Sequence, residues 1–165
     1  MKLLSLLLLF FTSDLSAEPA DVRPYFSPAG GCTAAAVREI DAAKITIDFQ
    51  AYRFTSADIL FALERAISRG VHVRALYDRA NKSDNLTLAD DLARFPGGPP
   101  RLYSRSLIMH SKIIILDSVT VVSGSFNWTT SAEKSNDENL IVIRSDKVAA
   151  AYTAQFSRIM ANAQK

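Results

Sequence analysis

The sequence contains a single cysteine, Cys32, so no internal disulfide can hold the fold, and a small packing residue is the expected role of that thiol. Long apolar runs are missing too. The most apolar stretch, Leu3 to Phe11, is about half the roughly 20 residues that a membrane-spanning helix needs. Nor does charge of one sign dominate: 19 basic residues against 17 acidic ones leave a formal charge of +2. That balance is compatible with a polyanion partner without implying one, because local clustering rather than net charge creates a field. Internal repeats and low-complexity segments are absent, which excludes solenoid and propeller arrays. What remains is 165 residues at 48% hydrophobic content, enough for one domain with a buried core.

The N-terminus reads Met1-Lys2, then the apolar stretch, then a short polar segment ending at Ala17, which is the layout of a secretory signal peptide. The expected plan is therefore a leader over 1–17, cut after Ala17 or alternatively Ala20, and a single domain over 18–165. Its removal leaves 18 basic and 16 acidic residues, so the charge stays at +2. The mature protein is expected to be exported without stable membrane association. Its sequons include Asn85-Leu86-Thr87 and Asn127-Trp128-Thr129. The second lies inside the chemical motif described below, where a glycan would block the site, so export in a bacterium, to the periplasm or beyond, is expected.

After the leader, residues 21–31 are rich in Pro and Gly and read as an extended lead-in closing on a turn at Gly30-Gly31. Apolar spacing predicts helices over 33–43, over 55–67 with a capping-box-like start at Thr55-Ser56-Ala57-Asp58, over 85–95, and over 146–161. Strand patterns cover 44–52, 71–77, 113–116, 120–122 and 140–143, and 96–100 is a Pro/Gly breaker. Strands alternating with helices predict an α/β fold, a mixed β-sheet flanked by helices.

The chemistry concentrates in Met109-His110-Ser111-Lys112-Ile113-Ile114-Ile115-Leu116-Asp117, continuing to Gly124-Ser125-Phe126-Asn127. Residues two apart on a strand share a face, so His110 and Lys112 should project together. A two-residue hairpin turn at Asp117-Ser118 would set 114 opposite 121, 112 opposite 123 and 110 opposite 125, with Asn127 on the same side and Ile113, Ile115 and Val122 on the core side. Imidazole, ammonium, hydroxyl and amide on one face are what phosphoryl transfer needs: a nucleophile and donors to charged oxygens. Taken singly, His110 reads as a structural histidine, Lys112 as an exposed lysine, and Ser125 and Asn127 as turn formers; their shared face argues for function. Asp117 sits at an odd offset and at the turn, which points to a turn-stabilising or supporting carboxylate. His72 reads as a sheet-face residue and Trp128 as core. Arg101, Tyr103 and Arg105 read as either substrate rim or solvated loop.

His110-x-Lys112-x4-Asp117 followed by Gly124-Ser125-x-Asn127 resembles the signature of the phospholipase D superfamily; a chance match of six fixed positions in such a chain is on the order of one in a million. Ala43-Lys44, Tyr52-x-Phe54-Thr55-Ser56 and Arg69-Gly70-Val71-x-Val73-Arg74 before Asp78 resemble the small single-motif bacterial nucleases of that superfamily, so nearly all of the mature chain is covered. The resemblance implies a phospholipase D-like α/β/α sandwich, a phosphohistidine intermediate on His110, and no metal or other cofactor. It also implies that Glu138, in Asn136-Asp137-Glu138-Asn139, orients the nucleophilic imidazole. Gln155-Phe156 departs from the pattern, standing where these nucleases often carry tryptophan.

In-line displacement needs a nucleophile on one side of phosphorus and a proton donor on the other, and one chain offers one suitable histidine. A two-fold homodimer with a shared active site resolves this, each subunit contributing His110. The expected substrate is nucleic acid, DNA or RNA. The alternatives are a phospholipid such as cardiolipin, and a nucleic-acid-binding module without catalysis.

Overall fold

The computed structural model describes residues 20–78, 101–103 and 108–163. The leader, the helix expected over 85–95, the breaker at 96–100, the first sequon and Arg105 lie outside them. The described elements are β1 (Asp21–Ser27), α1 (Cys32–Ala42), β2 (Thr46–Ala51), α2 (Ala57–Ser68), β3 (His72–Asp78), β4 (Arg101–Tyr103), β5 (Ile113–Leu116), β6 (Thr120–Gly124), α3 (Thr130–Lys134), β7 (Glu138–Arg144) and α4 (Asp146–Met160). They form a seven-stranded sheet in the order β1-β7-β6-β5-β2-β3-β4. Strands β2, β3 and β4 run parallel and the other pairings are antiparallel, so the sheet is mixed as expected.

Period-2 alternation makes two cores rather than one. Ile47, Phe49, Ile114, Leu116, Val122, Leu140 and Val142 are buried with residues of α1 and α2, including Cys32. Leu76, Met109, Ile115, Val121, Ala149 and Phe156 are buried on the α4 side. The expectation that Ile113, Ile115 and Val122 share one core face therefore fails: Val122 belongs to the first layer, Ile113 and Ile115 to the second. The resulting α/β/α layering matches the expected class. Phe156 occupies the place of the missing tryptophan as a fully buried core residue, with the Arg74 guanidinium 5.0 Å from its ring centroid. Burial pushes the Cys32 thiol up to about 11, as suits a packing residue.

Three elements escaped the sequence pattern, among them the five-residue α3. The lead-in over 21–27 is a strand pairing with β7, and Pro24 is tolerated there because β1 is the outermost strand. Three-residue β4 is too short to show a period. The hairpin differs more consequentially. Asp117 and Ser118 have φ of 52° and 58°, as a type I′ turn requires, and the Val119 amide donates to the Leu116 carbonyl. The ladder, however, pairs Leu116 with Thr120, Ile115 with Val121 and Ile113 with Ser123, one residue off the expected register. Val119 is left out of the ladder and its carbonyl accepts from Ser145 at 3.0 Å. Because Val121 and Val122 are both apolar, hydrophobic pattern alone did not discriminate the two registers.

The Asp117 carboxylate accepts the backbone amides of Lys44, Ile45 and Thr46 at 2.8, 2.7 and 2.9 Å, tying the turn to the start of β2. Burial works to raise this carboxyl, but the amides of Thr46, Lys44 and Ile45 outweigh it and hold the group below the usual carboxylate range. A depressed folded value means stability that is complete above the unfolded value of about 3.9 and is lost as pH falls through the folded one. Asp117→Ala should cost about 1–2 kcal/mol at pH 7. Urea unfolding should show the gap to wild type closing as the pH drops below about 4; a gap independent of pH would mean the carboxylate charge is not what holds the turn.

Candidate active site

Strand polarity brings one set of ends together: the C-termini of β1, β2, β3 and β6 meet the N-termini of β5 and β7. The segment 108–112, which carries the motif histidine and lysine, precedes β5 and is outside the ladder. Side-chain bonds hold it instead. Met109 is buried and its amide donates to the buried Asp78 carboxylate at 2.6 Å, while the Lys112 carbonyl accepts from Ser123 Oγ at 3.2 Å. His110 is exposed, whereas Lys112 is only 4% exposed. Their side chains do meet, as expected: Lys112 Nζ lies 2.9 Å from His110 Nδ1 and donates to the His110 carbonyl at 2.5 Å. The Tyr52 ring, just past β2, lies against both.

Burial pushes the Lys112 ammonium below its usual range, and the Glu138 carboxylate opposes that shift. While charged, the ammonium donates to Nδ1, so a neutral imidazole carries its own proton on Nε2. This resting arrangement presents an N–H at Nε2. A nucleophilic Nε2 requires the ring proton on Nδ1 and an acceptor facing it.

Beyond β6 the chain alternates again. Phe126 and Trp128 are fully buried, Trp128 donating its Nε1–H to the Gln50 carbonyl at 2.8 Å, so Trp128 is core as expected. Ser125 and Asn127 consequently turn the other way. Gly124 makes this possible: its φ is 153°, and a Cβ there would run into the Asn139 carbonyl oxygen. Ser125 Oγ donates to Glu138 Oε2 at 2.5 Å and accepts from the Asn139 amide at 3.0 Å. The other Glu138 oxygen accepts from Asn136 Nδ2 at 3.1 Å. Asn127 has its Oδ1 buried without a hydrogen-bond partner, and a half-turn of the carboxamide would offer N–H₂ in its place.

One sequence expectation needs correction here: the shifted register means that His110 does not face Ser125 across a ladder. Ser125 gives its one proton to Glu138, and Glu138 bonds Ser125 and Asn136 in this arrangement. Asp117 lies at the far end of β5 with its carboxylate committed to backbone, so it supports the sheet and stands apart from His110. His72 begins β3 at the opposite end of the sheet. Tyr103 is packed into the α4-side core. Tyr52, Asn136 and Asn139 went unselected, the first as part of a family string without a role and the others as neighbours of Glu138.

Residues 36–160 match the family described as "Cardiolipin synthase, PLD-like domain". The chain belongs to the phospholipase D-like family. It is 38% identical over 149 residues to a "Phospholipase D" of Rickettsia conorii, covering 85% of this chain and 68% of that one. The "Mitochondrial cardiolipin hydrolase" of Drosophila melanogaster is 30% identical over 146 residues, of which 74% of this chain and 56% of the relative are covered. Among solved structures, the phospholipase D family member Nuc from Salmonella typhimurium superposes with a TM-score of 0.80 at 33% identity, over 88% of this chain and 97% of Nuc. This phospholipase D-like chain is accordingly a hydrolase of phosphodiester bonds, and the match also accounts for its α/β sandwich.

Glu138→Gln keeps both side-chain bonds possible but removes the charge that favours the Lys112 ammonium. Turnover of a phosphodiester should fall roughly tenfold with KM within about twofold, and the alkaline limb of the kcat profile should move to lower pH. An unmoved profile would mean that the Glu138 charge does not act on Lys112.

Proposed function

We propose that this protein hydrolyses nucleic acid, DNA or RNA, through a phosphohistidine on His110, in a homodimer whose two subunits share one cleft. The observation that carries this reading is the exposed imidazole of His110 with the buried ammonium of Lys112 2.9 Å from its Nδ1. An imidazole lone pair attacks phosphorus, the P–O bond to the leaving group breaks, and the departing oxygen takes a proton from His110 of the second subunit. Water then attacks the phosphohistidine, losing a proton to His110 of the second subunit, and the P–N bond breaks to restore the ring. In the donor subunit the ring gives up its Nε2 proton while Nδ1 takes one from the Lys112 ammonium, so the ring stays neutral. In the attacking subunit Nδ1–H needs an acceptor, and Glu138 fills that place once it releases Ser125. Lys112 and the Asn127 amide stabilise the equatorial oxygens.

The resemblance of 43–78 and 110–127 to small single-motif bacterial nucleases supports the nucleic-acid substrate, as does near-complete coverage of Nuc. The naming of the Rickettsia relative supports a second reading, phospholipid hydrolysis. Residues 1–17 support export to the periplasm or beyond as a single mature domain, which N-terminal sequencing of protein from a cell fraction would test.

The purified mature protein should cut plasmid or RNA in excess EDTA, and His110→Ala should lose at least about a thousandfold in turnover while keeping its circular dichroism spectrum. Cardiolipin cleavage with both nucleic acids intact would replace the substrate, and a robustly active His110→Ala would move the nucleophile elsewhere.

Sharing of the cleft gives a separate outcome. When wild-type and His110→Ala chains are unfolded together in equal amounts and refolded, about a quarter of the dimers carry both histidines. Activity should fall to about a quarter of an all-wild-type sample at the same chain concentration, and proteins mixed after folding should stay additive. A fall to only about half would assign each subunit its own complete site.

A further inference from the structure

Tyr52 follows the last residue of β2, and its ring centroid lies 4.4 Å from that of the His110 imidazole, with the planes at 53°. Lys112 Nζ lies 4.9 Å from the same centroid. With Nζ 2.9 Å from Nδ1, the three side chains close a triangle in which each touches the other two. The tyrosine cannot easily withdraw from it. Ala51 before it is in the ladder with Tyr77, and Phe54 after it bridges to Trp128. The Thr55 and Ser56 amides both donate to the Trp128 carbonyl, at 2.9 and 3.1 Å.

The chemistry of the triangle is unequal. An ammonium this deeply buried needs compensation on every side, and His110 supplies a carbonyl and a ring nitrogen for two of its three N–H bonds. An aromatic face is the third compensating surface, and it attracts a cation more strongly than a neutral group of the same size. The exposed imidazole has the reverse problem. Nothing in the core grips it, so its plane depends on what lies against it.

We propose that Tyr52 is a positioning residue of the phosphoryl-transfer site: its ring face holds the Lys112 ammonium and its contact with His110 fixes the imidazole plane, so that Nδ1 meets Lys112 and Nε2 faces the cleft. The proposal rests on His110 being the reacting histidine. It assigns the effect to the ring, and predicts that the phenol oxygen is dispensable.

The chain has two histidines, so ring-nitrogen spectra are simple to assign in a His72→Gln background, and His72 lies at the other end of β3. In that background the neutral His110 should show its proton on Nε2. Tyr52→Leu should bring the two ring-nitrogen shifts toward their average and lower kcat on the order of tenfold with KM within about twofold. Tyr52→Phe should keep both the spectrum and kcat within about twofold. Should Tyr52→Leu not fold, Tyr52→Met, which retains bulk without a ring face, carries the same expectations. Unchanged ring shifts and kcat in the ringless variant would overturn the proposal, and so would Tyr52→Phe as impaired as that variant. The spectrum reads position without any turnover. An active His110→Ala would therefore sink the functional reading, whereas an unperturbed Tyr52→Leu beside an inactive His110→Ala would sink the positioning role alone.

Discussion

An ammonium taken out of water must be compensated where it ends, and at Lys112 that requirement organises the end of the sheet that carries the motif. Lys112 is 4% exposed, yet its Nζ meets the His110 carbonyl, the His110 ring nitrogen and the Tyr52 ring, with the Glu138 carboxylate favouring its charged form. The histidine and lysine are thereby set as one unit rather than as two neighbours on a strand. Holding that unit falls to the buried pair on either side. Met109 packs into the α4-side core with its amide on Asp78, and the Lys112 carbonyl takes the Ser123 hydroxyl. A segment outside the ladder thus acquires a single conformation from side-chain bonds.

The carboxylates of the chain divide the remaining work. Asp117 captures three consecutive amides and locks the hairpin to β2, so the motif aspartate serves the frame that carries the histidine. Glu138 is tied to Ser125 and Asn136, which places a negative charge near Lys112 without neutralising it by direct contact. Both hydrogen bonds of that carboxylate come from neutral side chains, so its charge stays available to Lys112. Gly124 is the condition for it, since any side chain there would collide with the Asn139 backbone and push β7 away from Ser125.

By itself the sequence determined the class of fold and the identity of the motif. Helices at 32–42, 57–68 and 146–160 and strands at 46–51, 72–78, 113–116 and 120–124 follow from period, because amphipathic spacing is local information; the caps Ser56 and Ser145 came from the structure. The motif was legible for the same reason, its residues being fixed in number along one hairpin. Tertiary structure decided what local pattern leaves degenerate. It chose the hairpin register, where adjacent valines satisfy either pairing and the bond from Ser145 to Val119 selects one. It made a strand of 21–27, since a Pro-bearing edge strand shows itself only through its partner β7. It turned Glu138 toward Ser125 and set Tyr52 against His110 and Lys112, contacts between elements 13 to 60 residues apart that no spacing rule encodes.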